Sequence, residues 1–243
     1  SIALQAGHTV FVKETGDFGA ALVSRAALAA IPEAPMQEKP DTQPPLPPSS
    51  GRPYNPVVTL NGWSLPWRMN GDWKQFHLVA GPVRRQLAPR MTANLWSYNG
   101  QSPGPTIECV QGDKVRIFVT NKLPEHTTVH WHGILVPNGM DGVGGLNQPH
   151  IPVGKTFVYE FVMPKSGTFM YHPHADEMVQ MAMGMMGFIV VHPKNPSFMR
   201  VDRDFVFLIN AYDIEPGAYT AKKATMTEFN LWSWNSRVFP GIG

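Results

Sequence analysis

Residues 114–120 read Lys-Val-Arg-Ile-Phe-Val-Thr, with Val115, Ile117 and Val119 at every second position. Side chains at alternate positions of a β-strand point to the same face of the sheet. The spacing therefore predicts a strand that buries these three aliphatic residues and turns its other face towards water. It is the clearest strand signal in the chain, and similar segments lie on both sides of it.

These neighbouring segments are short and rich in β-branched and aromatic residues. Pro-Gly, Asn-Gly and Gly-Asp pairs, which are typical of turns, lie between them. The further predicted strands cover residues 57–60, 76–80, 127–132, 156–163, 167–172 and 188–192. Strands at this spacing favour an all-β fold, in the form of a Greek-key β-sandwich.

The composition agrees with an all-β protein and argues against several functions. The 243 residues include 24 prolines and 22 glycines, as expected of a chain with many turns. The formal net charge of +2 is too balanced for a nucleic-acid partner or an anionic membrane surface. No apolar run reaches the roughly 20 residues of a membrane helix, so no membrane span is expected. Cys109 is the single cysteine, which excludes an intramolecular disulfide and predicts a small core residue.

The chain divides into three regions by composition. Residues 1–56 are predicted to form an extended N-terminal arm that ends in a proline-rich linker. The alanine-rich residues 20–30 within this arm favour a short helix. The arm either lies on the surface or embraces a neighbouring subunit. Residues 57–195 carry the predicted sandwich.

The third region, residues 196–243, contains one more predicted strand at residues 204–210. A polar segment follows, and then Glu228-Phe-Asn-Leu-Trp-Ser-Trp-Asn. This last segment resembles the opening of a second β domain. We therefore predict that the region is a linker with the first strand or strands of that domain.

Two histidine motifs lie in the predicted strands, Val129-His130-Trp131-His132-Gly133 and Tyr171-His172-Pro173-His174. Residues i and i+2 of a strand share a face and lie about 6.5–7 Å apart along the backbone. Neighbouring strands lie about 4.8 Å apart, so two such pairs on adjacent strands would bring four imidazoles to one small volume. The pattern predicts a metal site. The remaining histidines are isolated in sequence, and we expect ordinary polar or capping roles for His8, His77, His126, His150 and His192.

The ligand type narrows the choice of metal. Imidazole nitrogen suits copper, zinc, iron and nickel, and the absence of carboxylate and thiolate from both motifs leaves copper and zinc as leading choices. Zinc held only by histidines usually keeps three of them and an open position. Four histidines on two strands are better matched to more than one metal ion. Each imidazole must be neutral to bind, so metal loading should weaken in acid.

The two motifs resemble the first-domain copper motifs of the multicopper oxidases, the family that includes the laccases. The resemblance runs from about Trp96 to Pro193 and includes Asn99-Gly-Gln-Ser-Pro-Gly-Pro-Thr and Met183-Gly-Met-Met-Gly-Phe. It implies a cupredoxin-like fold for residues 57–195, in agreement with the strands predicted above. It also implies copper as the metal.

The resemblance implies a role for each motif histidine in a trinuclear copper cluster. His130 would bind the type 2 copper. His132 and His172 would bind one type 3 copper, and His174 the other. Asp141, in Met-Asp-Gly, would be an acid near the type 2 copper that relays protons during dioxygen reduction. Its alternative role is that of a turn-forming residue before a glycine.

The type 1 copper of the family is expected on a domain that this sequence does not contain. That site needs a cysteine thiolate and two histidines, in a His-Cys-His motif, and Cys109 has no histidine beside it. The family completes its cluster with histidines of a second domain. The resemblance therefore implies a C-terminal cupredoxin domain or a companion chain. It is similar to the two-domain laccases, which implies a homo-oligomer, a trimer, with the cluster between subunits.

The resemblance implies an enzyme, a multicopper oxidase part-chain of laccase-like type. It would couple one-electron oxidation of a phenol-like molecule or a metal ion to the four-electron reduction of dioxygen to water. The location implied by the family is periplasmic or secreted. Two alternatives stay open. One is a non-catalytic copper-binding or storage module, and the other is a copper-nitrite-reductase-like protein, which would carry its type 1 cysteine in the first domain.

Five methionines follow the second motif within nine residues, and they are Met178, Met181, Met183, Met185 and Met186. Thioether sulfur is a soft ligand for Cu(I), which would suit the storage alternative. A helical turn over residues 176–181 that leads into a strand would instead place the methionines in the core, where they fill irregular gaps. We prefer the packing role.

Overall fold

The computed structural model describes residues 2–5, 9–12, 21–24, 54–195, 201–222 and 229–241. Within these ranges the strands are β1 Ile2–Gln5, β2 Thr9–Val12, β3 Ala21–Ser24, β4 Val58–Thr59, β5 Trp67–Asn70, β6 Trp73–Ala88, β7 Met91–Tyr98, β8 Gly104–Val110, β9 Lys114–Asn121, β10 His130–His132, β11 Thr156–Val162, β12 Gly167–His172, β13 Gly187–His192, β14 Phe205–Val206, β15 Ile209–Tyr212 and β16 Leu231–Trp234. A 3-10 turn, Asn138–Met140, and helix α1, Glu177–Ala182, complete the described elements. No helix in these ranges has the length and apolar character needed to cross a membrane.

Two sheets carry the core. One has the order β10-β12-β13-β8, and the other has the order β11-β9-β6-β5 with β7 also paired to β6. Most pairs are antiparallel, whereas β8 with β13 and β6 with β9 are parallel, because the chain crosses between the sheets before it returns. The rings of Trp131 and Tyr159, one from each sheet, meet edge to face at 5.0 Å. The predicted all-β sandwich is confirmed.

Strand β9 follows the sequence pattern from which the prediction began. Val115, Ile117 and Val119 are fully buried between the sheets, and Lys114 is exposed. The outward-facing Phe118 stacks on the ring of His77 at 4.6 Å. Burial of three aliphatic side chains of this size contributes roughly 1.5–3 kcal/mol each. The period of two therefore fixes which face of the strand meets the core.

Tyr171 occupies the centre of the core beneath the first sheet. Its hydroxyl donates to the carbonyl of Pro105 at 2.7 Å, and its ring meets that of Tyr98 edge to face at 5.2 Å. A Cβ atom at Gly187 would lie 2.3 Å from the ring, and one at Gly104 would lie 2.4 Å from the hydroxyl. These two motif glycines are needed because the tyrosine fills the space that their side chains would take.

Cys109 is fully buried on β8, as predicted for a small core residue. Removal from water raises the pKa of its thiol strongly, because the low dielectric disfavours the thiolate. Since the thiolate is the reactive and metal-binding form, this cysteine packs rather than binds.

The predicted elements differ from the structure in several places. Residues 21–24, expected to be helical, form β3 and pair with β2, because strand pairing overrides the local helix preference of alanine. The rest of that alanine-rich segment and the proline-rich linker lie outside the described residues. Strand 127–132 is shorter than expected, since Thr127 makes only a single bridge to Ile151 before β10 begins. Strands β1 and β2, which pair with each other where an extended arm was expected, and strands β5, β7 and β8 were not predicted.

The strand expected at residues 204–210 is broken into β14 and β15, and Asn235 explains the break. Its side-chain amide donates to the carbonyl of Val206 at 3.1 Å and accepts the N–H of Leu208 at 2.7 Å. A side chain thus satisfies the backbone groups that a neighbouring strand would otherwise pair.

The last described segment packs back onto the sandwich. Strand β16 pairs with β15 in antiparallel register. The buried hydroxyl of Tyr212 lies 2.6 Å from that of Ser236 and 3.0 Å from that of Ser102. The N–H of Val238 donates to the carbonyl of Leu87 at 2.9 Å. The division at residue 196 between two domains stays a prediction.

Replacement of Tyr171 by phenylalanine should lower the free energy of unfolding by about 1–3 kcal/mol, because the buried carbonyl of Pro105 loses its donor. Urea unfolding followed by fluorescence measures the change. Tyr219→Phe is the matched control, since Tyr219 is 57% exposed, and should be close to neutral. An equal effect of the two variants would contradict this account of the core.

Candidate metal centre

The pairing of β10 with β12 brings the two histidine motifs together. In the antiparallel register His130 lies opposite His172, and Trp131 lies opposite Tyr171. Alternation along the strands sends the two aromatic residues into the core and leaves the histidines on the other face. His174 follows the end of β12, where its backbone N–H donates to the hydroxyl of Thr128 at 3.2 Å.

Three of the four imidazoles form a compact group. One ring nitrogen from each of His130, His132 and His172 lies within 4.8 Å of the others. Nδ1 of His132 and Nε2 of His172 are 3.2 Å apart. His174 stands beside this group, with its ring centre 5.3 Å from that of His130 and 6.2 Å from that of His172. The structure therefore brings all four predicted histidines to one face, three of them tightly.

Backbone carbonyls orient two of the rings. Nδ1 of His130 lies 2.6 Å from the carbonyl of Asp141, and Nδ1 of His172 lies 2.9 Å from the carbonyl of Pro173. A carbonyl only accepts hydrogen bonds, so in both rings the proton is on Nδ1 and the lone pair is on Nε2. In His172 that Nε2 is the atom that faces His132.

The pKa of His172 is lowered, chiefly because burial disfavours the charged ring. The hydrogen bond to Pro173 and the carboxylate of Glu177 act in the opposite direction, and the nearby rings of His130 and His132 lower the pKa further. The ring thus stays neutral to more acidic pH than a free histidine. A neutral imidazole is the form that binds metal.

Asp141 lies directly beside the group. It ends the 3-10 turn, with its N–H donating to the carbonyl of Asn138 at 3.2 Å. Its Oδ1 lies 3.4 Å from Nδ1 of His130, and its Oδ2 accepts a hydrogen bond from Asn147 at 3.3 Å. The next residue, Gly142, has φ +86°, and a Cβ atom there would lie 1.9 Å from the carbonyl of Val129. Asp141 therefore both shapes the turn and places a carboxylate near His130.

The donor set fits copper. Two ligands on one tetrahedral ion at about 2.0–2.1 Å lie roughly 3.3 Å from each other, close to the 3.2 Å between His132 and His172. Imidazole nitrogen is a preferred donor for this metal. His132 is exposed and His172 is buried, so the face is open on one side.

The methionines that follow the second histidine motif differ in burial. Helix α1 forms where a helical turn was predicted. Met183, Met185 and Met186 are buried, in agreement with the packing role, whereas Met178 is 48% exposed.

Glu177, at the start of helix α1, was not selected from the sequence. Its carboxylate lies 3.5 Å from Nδ1 of His172 and 3.4 Å from Nε2 of His174. No sequence rule indicated it, because His174 precedes the helix and the left-handed Asp176 lies between the two residues.

Two of the isolated histidines contact each other. The rings of His126 and His150 lie 4.2 Å apart. His192 contacts the buried carboxylate of Glu108 at 3.0 Å, and His77 stacks on Phe118. His8 lies outside the described residues. These four described histidines have ring or carboxylate contacts, and the polar or capping roles expected for them stay a prediction.

Comparison with known proteins identifies relatives of this architecture. Residues 79–196 match the family model of the multicopper oxidases. Copper resistance protein A of Escherichia coli is 37% identical over 154 residues, which cover 63% of this chain and 25% of that protein. Laccase-2 of Cryptococcus neoformans is 43% identical over 144 residues, which cover 54% of this chain and 24% of that protein.

A solved structure shares the sandwich. The multicopper oxidase of Pseudomonas thermotolerans superposes with a TM-score of 0.63 and 32% sequence identity, over 68% of this chain and 42% of that one. The chain spans about a quarter of the length of the curated relatives it matches. Residues 79–196, and the cupredoxin-like sandwich to which they contribute, belong to the multicopper oxidase family.

Proposed function

We propose that this chain supplies part of a trinuclear copper cluster to a multicopper oxidase that oxidises a donor and reduces dioxygen to water. One observation carries the proposal. The pairing of β10 with β12 sets nitrogens of His130, His132 and His172 within 4.8 Å of one another, with His174 beside them. Family membership supports copper as the metal. The activity is proposed for the complete protein.

The ligands are proposed to divide as the family resemblance implies. His132 and His172 would share one type 3 copper, which their 3.2 Å separation supports. His130 would bind the type 2 copper through Nε2, since its Nδ1 faces the carbonyl of Asp141. His174, which stands apart from the tight group, would bind the other type 3 copper.

When bound, the copper ions would pass the electrons taken from the donor to dioxygen. The chain's own residues hold the His172 ring neutral through burial, and backbone carbonyls orient the rings of His130 and His172. The reduction also consumes protons. We propose that Asp141 passes them towards the site, because its carboxylate lies 3.4 Å from the His130 ring and remains partly open to solvent.

The rest of the cluster and the type 1 copper are proposed to come from a C-terminal cupredoxin domain or a companion chain. The exposure of His132 supports a site that another protein surface covers. We propose a homo-oligomer, a trimer as in the two-domain laccases. The donor would be a phenol-like molecule or a metal ion. The family resemblance also leads us to propose a periplasmic or secreted location.

The His132→Ala variant tests the ligand assignment. His132 is exposed, so its loss should leave the fold intact while copper affinity falls at least tenfold, since even residues that only support ligands change affinity by about 10–100-fold. Copper content after equilibrium dialysis and circular dichroism are the measurements. His77→Ala, at another exposed histidine, is the control. Equal copper binding by both variants would exclude His132 as a ligand.

The Asp141→Asn variant tests proton delivery. In the complete copper-loaded enzyme, oxygen uptake should fall roughly 10²-fold, the lower range for loss of a positioned acid, while copper content is unchanged. Asp72→Asn, at an exposed carboxylate paired with Lys114, should leave turnover unchanged. Unaltered turnover across the pH range in Asp141→Asn would remove the proposed role. Bound copper without any oxygen uptake in the wild-type enzyme would favour the storage alternative.

A further inference from the structure

The segment that contains β14 and β15 alternates in exposure but not in polarity. Phe205, Phe207 and Ile209 are exposed, whereas Val206 and Leu208 between them are buried. A strand with one face in water carries polar residues on that face, and a strand covered on both faces is apolar throughout. The sequence of this segment is therefore that of a strand that lies between two layers.

Strand β16 adds two tryptophans to the outward side. In the antiparallel register Trp234 lies opposite Ile209, and Trp232 lies two residues earlier on the same face of β16. The ring of Phe207 meets that of Trp234 at 5.7 Å and that of Phe205 at 6.2 Å. These side chains, each between 43% and 68% exposed, form the outer apolar face, which consists of Phe205, Phe207, Ile209, Trp232 and Trp234.

The face that β15 and β16 turn towards the sandwich is largely polar. Asn210 and Ser233 lie opposite each other and are buried, and the hydroxyl of Ser233 donates to the side-chain oxygen of Asn210 at 2.6 Å. The hydroxyl of Tyr212 joins those of Ser102 and Ser236. The hydrogen-bonded face is thus buried while the aromatic face is exposed, the reverse of what water favours. Such an arrangement is expected where a polar contact joins two domains and the apolar face belongs to a separate core.

The outer apolar face is large for a surface left in water. None of its members carries a charge, and about half-exposed side chains of this size leave on the order of 500 Å² uncovered, as much as the largest apolar patches of monomeric proteins. Among the described residues, β15 and β16 form a sheet of only two strands, which gains stability from further strands or a second layer. The face therefore fits an apolar sheet packed about 10 Å above it.

From this pattern we infer that the outer apolar face is one half of the core of the C-terminal cupredoxin domain, whose second sheet covers it. The inference rests on the proposed function, which assigns the rest of the cluster to that domain. The alignment with copper resistance protein A of Escherichia coli covers 25% of that protein, so most of this relative lies outside the matched part. The buried hydroxyls beneath β15 and β16 are then the contact that fixes the second domain relative to the sandwich.

Trp232→Ala tests the inference in two proteins, this chain alone and the complete protein with its C-terminal domain. Because Trp232 is 68% exposed, the thermal unfolding midpoint of this chain should change by less than about 2 °C. In the complete protein the same side chain is expected in a core, so its loss should lower the midpoint by about 10 °C. Trp67→Ala, at a partly exposed tryptophan of β5, is the matched control and should have the same effect in both proteins.

Acrylamide quenching gives a second measurement, which decides the question if the complete Trp232→Ala variant does not fold. The difference in fluorescence between the wild type and Trp232→Phe isolates the signal of Trp232. This signal should be quenched readily in the chain alone and protected in the complete protein. Equal quenching in the two proteins would contradict the burial of Trp232.

Equal effects of Trp232→Ala on the two midpoints would overturn the inference. So would a dimer of this chain that Trp232→Ala converts to monomers in sedimentation while the complete protein keeps its midpoint, because a second copy then covers the face. Copper content separates this result from the proposed function. A complete protein that buries Trp232 but binds no copper leaves the inference standing and refutes the oxidase.

Discussion

The antiparallel register between β10 and β12 is the constraint on which the site depends. It sets His130 opposite His172 and, one residue further, Trp131 opposite Tyr171. Because side chains alternate between faces, a slip of a single residue would send the histidines into the core and the aromatic rings into solvent. The same register therefore determines both the packing of the core and the placement of the ligands. The large apolar rings supply the free energy that keeps the imidazoles converged even without a metal.

The surroundings strengthen that register from both sides. Beneath the sheet, Gly104 and Gly187 leave the space that Tyr171 occupies. Above it, the carbonyls of Asp141 and Pro173 fix the orientation of the two facing histidines. Three of the four histidines thus lie on one pair of hydrogen-bonded strands, and the loops beside these strands supply the carbonyls that orient two of the rings.

Much of this could be predicted from the sequence because it depends on periodicity. The alternation at 114–120 gave the buried face of β9, and two His-x-His motifs on neighbouring strands indicated the convergence. Other features depend on contacts between distant residues. Asn235 interrupts a strand from across the fold, and Ala21–Ser24 follows its partner strand rather than its helix propensity. Glu177 reaches the site only because Asp176 adopts a left-handed conformation, which no local sequence rule required.

The contact of Ser236 with Ser102 bears on how the protein is made. These hydroxyls lie 134 residues apart in the chain and 3.2 Å apart in space, and Tyr212 joins the same buried group. A ribosome adds residues one after another. This buried group of three hydroxyls therefore cannot form until synthesis has passed residue 236. Until then the hydroxyls of Ser102 and Tyr212 lack the third member of their group, Ser236. The four motif histidines, by contrast, are all synthesised some sixty residues earlier, so every ligand of the site is in the nascent chain before this closing contact can form.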